Sequence, residues 1–163
     1  MPIQHALHDA PPAPLSPSFA GFTICAEGGE RLRFGDAEVV IRAAADTTDG
    51  AFCLFEENAP VDTPLHVHEH EDELFYVLEG EHVYTVGDRE FRVGPGGLVF
   101  APRGIPHAQR RVAPRVGRQL VMCSPAGVEG FFRELADADG TGDLDDEAFA
   151  NVSCRYGITW LAR

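Results

Sequence analysis

Basic residues are scarce. Lys and Arg total 13 against 26 Asp and Glu, a formal net charge of -13, and such a surface repels phosphate backbones and anionic lipids alike. Nucleic acid and membrane are therefore not expected partners. No stretch approaches the roughly 20 consecutive apolar residues of a membrane span, and the N-terminus has neither a basic start nor an apolar signal core; the expectation is a cytoplasmic protein. Paired cysteine motifs are missing as well. Cys25, Cys53, Cys123 and Cys154 are scattered, which argues against a zinc ribbon or a redox dithiol. Cys53 and Cys123 lie in apolar runs, where a reduced thiol packs as a small hydrophobe. Helical periodicity is nearly absent before residue 124.

What is present fits one domain, since 163 residues suffice for one sizeable core and not for two. Residues 1–18 carry Pro2, Pro11, Pro12, Pro14 and Pro17, each of which fixes a dihedral and removes a donor. They read as an extended arm, either a free tail or a strap over a barrel edge or a neighbouring subunit. Residues 19–124 form the main body. Its runs at Ala37–Ala43, Ala51–Phe55, Leu65–His68, Glu73–Leu78, His82–Val86, Glu90–Val93, Leu98–Phe100, Ala108–Val112 and Arg118–Cys123 are short, with turn residues between them. Gly87-Asp88 is a hairpin signal. The pattern predicts an all-β antiparallel barrel or sandwich. Residues 125–163 change character: Ser124-Pro125 opens a helical pattern with Val128, Phe131, Phe132 and Leu135 on one face, and a second helix begins near Asp143 or Asp145. The acidic run between them, Asp137 to Asp145, has Ala148 where a calcium loop needs its bidentate Glu. It reads as a solvated loop.

The chemistry concentrates in Leu65-His66-Val67-His68-Glu69-His70-Glu71-Asp72-Glu73. In a strand, His66 and His68 project to the same face. An acidic bend then returns the chain so that Glu73 faces back toward them. A third imidazole is expected from His107, where a strand resumes after the turn through Pro102, Gly104 and Pro106. Such a set of imidazoles and a carboxylate suits one first-row divalent metal with positions left open. His70 falls in the bend and is expected to be solvated or to support a ligand. Phe75 continues the Glu73 face, and Gln109 and Arg111 follow His107 at alternate positions. These three are the candidate substrate-pocket residues, although Arg111 could equally pair with a nearby carboxylate.

At these residues the chain resembles the cupin superfamily. His66, His68, Glu73 and Gly80 match the first cupin motif, and Gly96, Pro102, Gly104 and His107 match the second, both without a gap. Pro60 stands where the first motif usually opens with Gly, and Arg111 where the second often closes with Asn; neither position is a metal ligand in the family. The resemblance covers about Phe52 to Cys123. It implies a double-stranded β-helix, the jelly-roll or cupin barrel, with a C-terminal helical extension packed against its mouth. It also implies one divalent transition metal per chain (iron, nickel, manganese, cobalt, copper or zinc) on His66, His68, Glu73 and His107. A homodimer is implied too, and the doubly apolar strand around Leu74, Tyr76 and Leu78 calls for such cover.

The run resembles small quercetinase-like bacterial cupins, which implies a dioxygenase-type oxidoreductase acting on a small enolic or phenolic compound. Glu73 would be both ligand and general base, and Phe75 would exclude water. Fold does not establish reaction. The same ligands also suit a non-oxidative isomerase, cyclase, decarboxylase or lyase, which would turn over under argon. A sensing barrel would bind its ligand without turnover.

Overall fold

The structure, a computed structural model, describes residues 21–58, 60–112 and 117–161; the proline-rich arm expected over residues 1–18 lies outside them. Among the described residues, eleven strands build two antiparallel sheets. The first has six strands, in the order β1 (Glu30–Phe34), β2 (Ala37–Ala43), β3 (Cys53–Asn58), β10 (Arg118–Ser124), β5 (Asp72–Glu79) and β8 (Leu98–Ala101). The second has five: β11 (Ile158–Trp160), β4 (Thr63–His68), β9 (His107–Arg111), β6 (His82–Val86) and β7 (Arg89–Val93). A short helix, α1 (Ala45–Thr48), follows β2, and α2 (Glu129–Thr141) and α3 (Asp146–Arg155) precede β11. This is the two-sheet barrel with C-terminal helices that the strand pattern implied.

Period-two alternation decides what faces inward. On β10, Gln119, Val121 and Cys123 are buried while Arg118, Leu120 and Met122 are not, and on β5 Glu73, Phe75 and Val77 take the inner positions. The core therefore lies between the sheets, with Val39, Phe55, Val77, Tyr84, Val99 and Val121 at its centre. Gly87 supplies the positive φ (60°) of the β6–β7 hairpin, as a two-residue turn of this hand requires.

The C-terminal segment closes one end of the barrel. Phe131 and Leu135 of α2 enter the core, and the Phe132 ring packs against Phe34 and Phe55 at centroid distances of 5.9 and 4.8 Å. The helix starts later than Ser124-Pro125 suggested, because Ser124 still belongs to β10, where it pairs with Asp72. Buried Glu129 ties the helix down: its carboxylate accepts from the backbone N–H of Ala45 and of Gly127, both at 2.7 Å. Burial works against ionisation of Glu129, but these donors prevail and lower its pKa. Asp145 caps α3, accepting from Ala148 N at 2.8 Å.

Three elements have little sequence signal. In β1 only Leu32 and Phe34 pack inward, while Arg31 and Arg33 pair with Glu38 on β2. α1 is four residues long and β11 three, too short for a periodicity. Yet β11 pairs directly with β4, Ile158 opposite His68 and Trp160 opposite His66, so the end of the described chain lies beside the histidine strand. Among the described residues no helix is long and apolar enough to cross a membrane.

Candidate metal centre

The two sheets contribute different ligands. His66 and His68 occupy alternate inward positions of β4, and His107 opens β9 directly opposite His66. Glu73 reaches them from β5 in the other sheet. All four side chains are buried, and one donor atom from each lies within 4.8 Å of every other.

Hydrogen bonds on the far sides of the rings set their orientation. Nδ1 of His66 donates to the Pro64 carbonyl at 2.8 Å, and Nδ1 of His107 to the Ile105 carbonyl at 2.9 Å. A carbonyl can only accept, so each neutral ring is left with a lone pair at Nε2. Nδ1 of His68 faces Glu71 Oε2 at 3.5 Å, and both atoms are otherwise buried without a partner among the described residues. Histidines that ligate metals are oriented in this way by carbonyls and carboxylates.

The Nε2 atoms turn toward one carboxylate oxygen. His107 Nε2 is 2.9 Å from Glu73 Oε2, and His68 Nε2 is 3.7 Å from the same oxygen. Two electron-pair donors this close repel unless a cation lies between them. Ligands held about 2.1 Å from one ion at right angles are about 3 Å apart, so the spacing suits a single divalent metal. The mixed imidazole and carboxylate set accommodates most first-row divalent ions.

Burial and charge act on the ligands together. Burial is the largest influence on His66 and lowers its pKa to about 4, with help from the neighbouring His107. For His68, burial is outweighed by Glu71 and Glu73, and its pKa rises. For Glu73, burial raises the pKa but is outweighed by His107, whose Nε2 lies 2.9 Å from Oε2, and by His68 and His66, which together bring it down to about 2. Its other oxygen, Oε1, lies 3.8 Å from the Cys123 thiol, a weak donor.

A cavity opens from the cluster, walled by Phe55, Phe75, Phe131, Phe132, Ile158 and Trp160. The Trp160 ring lies 4.9 Å from His66. Phe75 and Gln109 line this cavity. Arg111 does not; its backbone N–H and its Nε both donate to Asp62 Oδ1, at 2.9 and 3.4 Å. His70 is exposed.

Three residues escape a reading of the motifs. Glu71 sits in an acidic bend yet is buried against His68. Trp160 comes from the short β11. Glu57 also lines the cavity, because β3 runs on through Glu56-Glu57-Asn58. Continuing the alternation of buried Cys53 and Phe55 by one more step would have found it.

A cupin domain model matches residues 52–117. Over 111 residues the chain is 32% identical to quercetin 2,3-dioxygenase of Bacillus subtilis (strain 168), a match that covers 67% of this chain and 33% of that enzyme. The chain thus spans about a third of the relative's length. Among solved structures, KdgF from Halomonas sp. superposes with a TM-score of 0.58 at 17% identity, over 68% of this chain and 99% of that one. A RmlC-like cupin from Shewanella frigidimarina gives 0.57 at 17% identity, over 68% and 96%. At such identities these structures speak for the fold.

Proposed function

We propose, on the premise that this chain belongs to the cupin superfamily, that it is a metal-dependent dioxygenase-type oxidoreductase acting on a small enolic or phenolic compound. The observation that carries the reading is the convergence of His66, His68, Glu73 and His107 within 4.8 Å at the end of an aromatic cavity. A divalent metal held by these four residues would supply Lewis acidity toward a substrate oxygen and the redox access that dioxygen requires.

The chain's own side chains supply the rest. In this reading Glu73 is both ligand and general base: its carboxylate would take the proton of an enol or phenol as the substrate docks. The Cys123 thiol lies on Glu73 Oε1, which leaves Oε2 turned toward the imidazoles. Phe75, Phe131 and Trp160 give a planar substrate apolar faces to pack on and exclude water around the reacting carbons.

The test is oxygen uptake by metal-reconstituted protein with a panel of flavonols and simpler enols, together with product analysis. Substrate-dependent uptake with a ring-opened or chain-cleaved product is expected. Turnover of the same compounds under argon would move the reaction to the non-oxidative class.

The same reading includes a homodimer. The outer face of the six-stranded sheet carries Tyr76, Leu98 and Phe100, which are 39, 55 and 52% exposed, with Tyr76 opposite Leu98 and Leu74 opposite Phe100. A contiguous apolar strip of this kind suits a second copy. Sedimentation should give twice the chain mass for the wild type and the chain mass for Phe100→Glu; a monomeric wild type removes the dimer from the reading.

A further inference from the structure

The cavity has two polar ends. One is the ligand cluster; the other is Glu57, whose surroundings follow from strand register. Gln119 stands directly opposite Glu57 across the β3–β10 pair, and Gln109 lies opposite both Thr63 and Tyr84 on the facing sheet. Gln119 Oε1 accepts from the Tyr84 hydroxyl at 2.5 Å, and Gln119 Nε2 donates to Gln109 Oε1 at 2.7 Å. These contacts leave both amides presenting N–H groups to Glu57. They donate to one oxygen: Gln119 Nε2 and Gln109 Nε2, the latter at 3.2 Å, both reach Glu57 Oε2.

Among the described residues Glu57 Oε1 accepts no hydrogen bond and Glu57 forms no salt bridge. Nor is Oε1 among the fully enclosed polar atoms without a partner; Glu57 lines both the cavity of the metal ligands and aromatic rings and an adjoining one between Phe34, Pro60 and Thr63. A half-buried carboxylate with no cation beside it and one free oxygen is costly to keep charged, even with two amide donors on its other oxygen. It is also a ready acceptor for a ligand.

We propose that Glu57 is a second anchor for substrate: its Oε1 accepts a hydrogen bond from a hydroxyl distant from the oxygen bound at the ligand cluster, so that the protein selects polyhydroxylated aromatic compounds over singly hydroxylated ones. This rests on the enzymatic reading above. Burial raises the Glu57 pKa to about 7, against the hydrogen bonds from Gln119 and Gln109, so the stronger, charged acceptor grows in as pH rises through neutrality.

The test is calorimetric titration of the zinc-loaded chain, which is redox-silent, with 3-hydroxyflavone and with quercetin, which carries further hydroxyls. In the wild type the preference for quercetin should increase about tenfold between pH 6 and pH 8, following the ionised fraction of a group that titrates near 7. In Glu57→Gln the preference at pH 8 should fall about five- to tenfold, the difference between a charged and a neutral acceptor, and the wild-type pH dependence should disappear. Zinc stoichiometry should stay the same in both proteins. Glu57→Asp, which keeps the charge, should keep the pH dependence. If Glu57→Gln does not fold, a wild-type preference that is flat with pH still overturns the proposal. Equal preference and equal pH dependence in wild type and Glu57→Gln overturn it while leaving the enzymatic reading intact. Binding of neither flavonol removes that reading and this proposal together.

Discussion

Glu73 and Glu57 are the same residue type on the inner face of the same sheet, and they border the same cavity. Their environments drive them in opposite directions. Burial raises both, but Glu73 faces three imidazoles and is drawn down to about 2, whereas Glu57, with neutral amides as its donors and the Glu73 charge working against its ionisation, rises to about 7. Pairs of carboxylates whose surroundings separate their pKa values this way mark a division of roles. Here Glu73 is held ionised beside the imidazole cluster, ready to ligate a metal, and Glu57 is set to hold or release a proton in another part of the cavity.

The largest effect should come from breaking the first environment. Glu73→Ala or His107→Ala removes a donor from the cluster, and metal affinity should fall at least about a hundredfold, beyond the loss expected from a supporting residue. Competition with a chromophoric chelator measures this. Glu71→Gln is the milder version. It weakens the hold on His68 Nδ1 without removing a ligand, so affinity should drop about ten- to a hundredfold while stoichiometry at saturation is unchanged.

The second environment can be relieved instead of broken. Because the folded-state pKa of Glu57 lies above its ordinary 4.5, the folded protein keeps this proton after the unfolded chain has lost it. The group's favourable contribution is therefore complete below pH 4.5 and is lost as pH rises toward 7. Metal-free Glu57→Gln should accordingly be more stable than wild type at pH 8, by about 1–3 kcal/mol, and indistinguishable from it near pH 4. Urea melts at the two pH values check the sign. The smallest effect is a control remote from both carboxylates: Asp145→Ala removes the α3 cap and should cost about 1 kcal/mol. Neither metal affinity nor the pH dependence of flavonol preference should follow it.

The contrast between the two glutamates also marks how far the sequence can be read. The ligand cluster is legible because period two puts His66 and His68 on one face, and because Pro102, Gly104 and Pro106 fix where His107 re-enters a strand. Short strands bounded by turn residues make the barrel legible as well. Glu57 is hidden because Glu56-Glu57-Asn58 is polar enough to resemble the end of a strand. That strand continues because Glu56 pairs outward with Arg42 at 2.7 Å while Glu57 turns in. Glu71 is hidden for the opposite reason, a charged residue in a charged bend that tertiary packing buries. Arg111 has the right alternation to enter the cavity, but Asp62, in the loop between β3 and β4, holds its guanidinium and backbone N–H. A contact set by a loop leaves no periodic trace.

The measurement that bears most directly on this account is elemental analysis of the chain purified without a histidine tag and without added metal, beside His68→Ala. One equivalent of a divalent transition metal per chain, lost in the variant, is the expected result. A wild-type chain that carries no metal and takes up none on reconstitution would contradict it.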